Sequence, residues 1–138
     1  MRNLRLVVMK VLAAVFLILI FDLSNTGQAQ SRLSDEQINR SGASHLIFAD
    51  SLSQAIELAK IDIANKTPFL LLQSGISPIV YSSDTVFENK YKVAYYESGC
   101  IGPKRELATQ YNKVVFEYLK ANFGLKWKKE IRKDVIGF

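Results

Sequence analysis

Phe69-Leu70-Leu71-Leu72-Gln73-Ser74-Gly75 is the stretch on which the fold turns. Apolar residues follow one another without polar alternation, and Ser-Gly closes the run. A strand solvated on one face would alternate. An unbroken run predicts a strand covered on both faces, as in a parallel sheet. Downstream, Tyr91-Lys92-Val93-Ala94-Tyr95-Tyr96-Glu97 is rich in β-formers and is closed by Ser98-Gly99-Cys100. Both runs end in Ser-Gly with a proline shortly after, Pro78 and Pro103. If the strands are parallel neighbours, the two loops sit side by side at the carboxyl edge, where open α/β sheets bind ligands.

The flanks supply helices. Between the strands, Ser83 or Asp84 can cap a short helical turn carrying Val86, Phe87 and Lys90. Upstream, His45-Leu46-Ile47-Phe48-Ala49 is an apolar burst that reads as a first strand. Asp50 or Ser51 then caps a helix, with Ser51 and Gln54 at capping-box spacing. Leu52, Ala55, Ile56, Ala59 and Ile63 form its apolar stripe, and Pro68 biases Thr67 away from helical dihedrals. Downstream, Gly102-Pro103 opens the longest helix, with Leu107, Tyr111, Val114, Val115, Tyr118 and Leu119 on its apolar face and Gly124 as its stop. A last helix is expected over residues 125–135, since Trp127, Ile131 and Val135 share one side. The order predicts a small layered α/β domain: a short, mostly parallel sheet flanked by helices, with a C-terminal helix pair. The alternative lacks the first strand and pairs the other two as an antiparallel hairpin, giving α+β.

Outside this domain the chain opens as an export signal. Arg2, Arg5 and Lys10 form a positive start, residues 11–21 are apolar without interruption, and Gly27 and Ala29 stand at the −3 and −1 positions of a small-residue cleavage site. The apolar run falls short of the roughly 20 residues that span a bilayer. Residues 1–29 are therefore expected to be a signal peptide, residues 30–44 a flexible polar lead-in, and residues 45–138 one globular domain. The competing reading is an uncleaved anchor. The protein is expected to be exported, periplasmic or extracellular, touching a membrane only in transit through the signal segment.

Of 18 basic and 13 acidic residues, three basic and one acidic lie in the leader, leaving about +3 on the rest. That bias is too weak to imply nucleic acid. Hydrophobic residues make up 49% of the chain, enough for a core without disulfide staples.

From Asp50 onward the chain resembles a small bacterial domain named after its FEKKY motif. The motif stands here as Phe87-Glu88-Asn89-Lys90-Tyr91, with Asn89 in place of lysine. The resemblance continues through Tyr95-Tyr96-Glu97-Ser98-Gly99-Cys100, Tyr111-Asn112 and the segment Glu130-Ile131-Arg132-Lys133-Asp134-Val135-Ile136-Gly137-Phe138. It implies a self-contained domain and carries over no activity, cofactor or catalytic residue.

Candidate sites follow from residue chemistry. Ser74, Gly75, Ser98, Gly99 and Cys100 are the ligand-binding candidates at the strand ends. Cys100 is the only cysteine, so no internal disulfide can form. It is either buried and inert, paired with another chain, or reactive, and the expectation is a partly buried thiol at the sheet edge. A nucleophilic thiol needs a base, for which His45 is the only histidine. One His and one Cys cannot supply a structural zinc site, and no cofactor fingerprint occurs, so neither metal nor cofactor is expected. Lys126, Lys128, Lys129, Arg132 and Lys133 form a basic arc on the last helix. Trp127 with flanking lysines could lie on an anionic membrane or dock an acidic partner, whereas ordinary amphipathicity turns Trp127 inward. The most economical function is a non-enzymatic module that binds a protein or small molecule; a thiol enzyme and an anionic-surface binder are the alternatives.

Overall fold

The computed structural model describes residues 33–73, 75 and 79–138. They belong to one compact unit, Arg32–Phe138. The export segment, residues 30–32 of the lead-in, and Ser74 lie outside the described residues. The elements follow in order: α1 (Asp35–Asn39), α2 (Gly42–His45), a 3-10 turn (Leu46–Phe48), α3 (Leu52–Ala64), β1 (Phe69–Leu71), α4 (Ser82–Tyr91), β2 (Ala94–Tyr96), α5 (Arg105–Phe123) and a second 3-10 turn (Lys126–Lys129).

β1 and β2 are parallel, with Phe69 opposite Ala94, Leu70 opposite Tyr95 and Leu71 opposite Tyr96. The chain is thus a small α/β domain with a short parallel sheet flanked by helices, and the antiparallel hairpin is not formed. Leu70, Leu71 and Leu72 are at most 4% exposed, as an unalternating apolar run requires. β1 is central because the chain terminus pairs along its other side. Leu72 forms an antiparallel bridge with Val135. Ile136 N–H donates to the Leu71 carbonyl at 2.9 Å and Gln73 N–H to the Asp134 carbonyl at 2.8 Å. β2 is the edge strand, and the Glu88 carboxylate accepts the Tyr95 N–H at 2.8 Å. That bond occupies an edge donor that could otherwise recruit another strand.

α5 packs on β1 and on α3, presenting Leu107, Ala108, Tyr111, Asn112, Val115 and Leu119 to the core. It stops at Gly124, whose φ of +68° is costly for any residue with a Cβ. Ser51 caps α3, its hydroxyl accepting the Gln54 N–H. Gln54 reaches back one residue further than a capping box requires, to the Asp50 N–H at 2.9 Å. α3 buries Ala55, Ala59 and Asp62, while Leu52 is half exposed.

Three expectations are corrected. His45-Leu46-Ile47-Phe48-Ala49 is no strand: it finishes α2 and forms a 3-10 turn. Leu46 is buried while Ile47 and Phe48 are exposed, and the Ser41 hydroxyl accepts the Ser44 N–H at 3.1 Å, which starts a helix there. The lead-in is not flexible from residue 33 onward. Ser34 and Gln37 form a complete capping box that starts α1, and α2 packs so closely on α3 that a Cβ at Gly42 would lie 2.3 Å from the Leu58 carbonyl oxygen. The second helix of the C-terminal pair shrinks to the 3-10 turn Lys126–Lys129. Trp127, Ile131 and Val135 are buried as expected, but Val135 pairs with Leu72, and an α-helix uses its own backbone groups internally and has none to give a strand.

Candidate ligand-binding cleft

The parallel register sets the carboxyl ends of β1 and β2 side by side. Gly75 N–H donates to the Glu97 carboxylate at 3.2 Å, a bond between the segments that leave the two strands. Beside them a cleft of about 270 Å³ opens, lined by Leu71, Leu72, Gln73, Ser98, Gly102, Pro103, Arg105 and Ile136. Each part has a local cause. β1 supplies the floor because its leucines run straight through the core. Ser98 stands two residues past β2. Arg105 is the first residue of α5, and no side chain caps this end of the helix. Pro103 brings no N–H of its own to the entry. The first N–H groups of a helix lack internal partners and carry about half a positive charge. The exposed Arg105 side chain adds a full positive charge to the cleft lining at this end, with Glu106 next to it in the same turn.

Of the five ligand-binding candidates, Ser98 lines the cleft. Gly75 and Gly99 do not line it, the Gly75 N–H being bonded to Glu97. Cys100 is a correction: its thiol is exposed, not tucked against the sheet edge. It lies in the turn after Gly99, which adopts a φ of +68°. His45 lines a second, mostly apolar hollow of about 240 Å³ with Phe48, Ala49, Gln54, Glu57 and Leu58. Among the described residues no hydrogen bond joins Cys100 to His45.

The basic arc divides. Lys126, Lys128, Lys129 and Lys133 are exposed, but Arg132 is not part of that surface. Its side chain is 8% exposed, bonded to Asp84 at 2.9 Å, to both oxygens of Asp134 and to the Ile79 carbonyl at 2.8 Å. It lies 4.8 Å from the Tyr81 ring centroid and 5.5 Å from that of Tyr95. The Arg132 guanidinium holds the Asp134 carboxyl below its ordinary range, and burial pushes the Tyr95 phenol up. Trp127 is buried against Phe116, ring centroids 5.4 Å apart.

The motif at residues 87–91 serves the fold. Phe87 is buried, its centroid 4.7 Å from Tyr91 and 5.3 Å from Tyr95. Glu88 covers the β2 edge, Lys90 binds Glu130 at 2.7 Å, and Tyr91 meets Phe123 edge-on. Sequence reading missed two buried polar residues, Asp62 and Asn112. Asp62 accepts from the N–H groups of Gly42 and Ala43 and from the Tyr111 hydroxyl. Burial outweighs these donors and raises its pKa. Arg105 was missed as well, because an arginine opening a helix carries no distinguishing signal. Among the described residues no group of three His, Cys, Asp or Glu side chains could hold a metal ion, and no helix is long and apolar enough to cross a membrane. No family model matches the chain, and comparison with curated proteins and with solved structures likewise yields no match.

Proposed function

We propose that this is an exported, non-enzymatic binding domain of the FEKKY type that takes a small anionic ligand in the cleft at the carboxyl edge of β1 and β2. One observation carries the reading: Arg105 and Ser98 line a common hollow at the uncapped amino end of α5. An anion there gains from a guanidinium and the helix end together. The volume suits a compact carboxylate or phosphate, below the range typical of drug-sized ligands. The family reading rests on Phe87-Glu88-Asn89-Lys90-Tyr91 and the other stretches that carry the resemblance, and export on the charge and apolar pattern of residues 1–29.

The test is calorimetry of the chain with inorganic phosphate, acetate and a short dicarboxylate. At least one should bind, and Arg105→Ala should abolish that binding without lowering the melting temperature, since the side chain is exposed. If none binds, or Arg105→Ala binds as the parent does, the reading fails. Intact-mass analysis of cell fractions checks export: a chain still bearing Met1 and recovered from the cytosol would overturn it.

A further inference from the structure

We propose that Lys126, Lys128, Lys129 and Lys133 form a docking surface for an anionic phospholipid membrane, separate from the cleft. All four side chains are exposed, and none forms an ion pair among the described residues. The two acids of the same segment are already engaged, Glu130 with Lys90 at 2.7 Å and Asp134 with Arg132. Four positive charges without a carboxylate partner among the described residues therefore lie within eight residues, the Lys128 ammonium standing 5.7 Å from the Trp127 ring centroid. In a 3-10 turn the rise is about 2 Å per residue, so Lys126 and Lys129 stand roughly 6 Å apart along the axis, within a Debye length of each other. Their fields add.

The platform beneath is fixed. Trp127, Ile131 and Val135 are buried, and Val135 is bridged to β1, so the backbone that carries the lysines does not have to be ordered by their partner. Trp127 itself cannot insert into a bilayer. The exposed apolar groups of the region are Leu125 and Phe138, 57% and 51% exposed. Leu125 directly precedes the lysines, and cations beside an exposed apolar side chain suit the headgroup boundary. Side-chain chemistry favours a diffuse surface over a discrete acidic site. The segment's single arginine, the residue built for two-pronged recognition, is consumed internally, and the outward charges are all compact ammonium groups.

The experiment is co-sedimentation of the chain with vesicles of phosphatidylcholine alone and of phosphatidylcholine mixed with phosphatidylglycerol. Every variant carries the same N-terminal segment, so differences among variants report on the lysines, and binding to phosphatidylcholine alone sets the baseline from the apolar leader. Binding above that baseline should require phosphatidylglycerol and weaken with added salt. Each surface lysine contributes about fivefold to such binding, so Lys128→Ala with Lys129→Ala should weaken it by about 25-fold. Lys60→Ala with Lys113→Ala, on exposed positions elsewhere, should leave it unchanged. Arg105→Ala should also leave it unchanged, which separates this surface from the cleft. Equal binding to pure phosphatidylcholine, indifference to the double alanine change, or capture of a soluble polyanion without vesicle binding would each overturn the proposal.

Discussion

Tyr111, in the middle of α5, donates its hydroxyl to the carboxylate of Asp62 near the end of α3. The same carboxylate accepts the Gly42 N–H at 2.7 Å and the Ala43 N–H at 2.9 Å. One buried acid thus ties the first turn of α2 to both long helices. A buried carboxylate is costly unless donors surround it, and here three converge. Removing it orphans all three, each at about 1–3 kcal/mol.

Asp62→Ala is accordingly expected to destabilise the domain by about 4 kcal/mol, against about 1 kcal/mol for Tyr111→Phe, which removes one donor and orphans none. Urea denaturation measures both. Hydrogen exchange should rise at residues 42–46 well before residues 69–72, because α2 loses its anchor while β1 keeps its ladder. Equal losses in the two variants would show that Asp62 anchors nothing beyond Tyr111.

Asn112 does for β1 what a neighbouring strand would do. Its carboxamide oxygen accepts the Leu71 N–H at 2.9 Å, and its amide nitrogen donates to the carbonyls of Leu71 at 2.9 Å and Ile136 at 2.8 Å. Leucine has a similar volume but cannot bond. Asn112→Leu should cost about 3 kcal/mol, chiefly through the stranded Leu71 N–H, and should loosen the C-terminal segment on β1 by removing its bond to the Ile136 carbonyl. Asn112→Asp should cost at least as much, since two carbonyls would then face an acceptor. A neutral outcome for Asn112→Leu would mean that Ile136 alone suffices to hold that edge.

These residues show why parts of the molecule were readable from sequence and parts were not. The leucines of β1 announce burial on both faces by lacking alternation. Ser51 and Gly124 mark helix ends through chemistry that is local to them. The adjacency of the two strand ends followed once β1 and β2 were read as parallel neighbours, and Ser98 beside the cleft came with it. Asp62, Asn112 and Arg132 gave no comparable signal. Asp62 meets Tyr111 across 49 positions and Asn112 meets Leu71 across 41. A polar residue on a helix looks solvated until the fold delivers its partner. The helix read into residues 125–135 failed for a related reason. The spacing of Trp127, Ile131 and Val135 fits one helical face, yet burial of three residues does not require a helix when the strand beside them needs pairing. Ser34 and Gln37 carried a readable capping box, and the polarity of their neighbours hid it.

Arg132 gives the domain a defined acid limit. Its guanidinium lowers the Asp134 pKa. The folded value lies below the unfolded one, near 3.9. The stabilisation is therefore complete above the unfolded pKa and is lost as pH falls through the folded one. Asp62 acts in the opposite sense, its folded pKa being raised, so the comparison is made between chains that both retain it. The urea midpoint of the parent should fall on acidification below about pH 4, and Asp134→Asn should fall less steeply. Arg132→Met should cost about 3–5 kcal/mol near neutral pH by leaving Asp84 buried without its cation. Adding Asp84→Asn should recover part of that loss. Identical acid profiles for parent and Asp134→Asn would remove this pair from the account.

Cys100 decides between the reactive and the inert thiol. It is exposed in the turn following Gly99, bonds to no histidine among the described residues, and does not line the cleft. Its sulfhydryl should react fully with a disulfide reagent such as Ellman's in the absence of denaturant. Mild oxidation should yield a disulfide-linked dimer on a non-reducing gel, since the chain holds no second cysteine to close a loop. Cys100→Ser should shift stability by less than about 0.5 kcal/mol and leave small-anion binding intact. A catalytic thiol would behave otherwise: Cys100→Ser would abolish turnover of some substrate while the fold survived. A thiol that reacted only after unfolding would contradict the exposed turn itself.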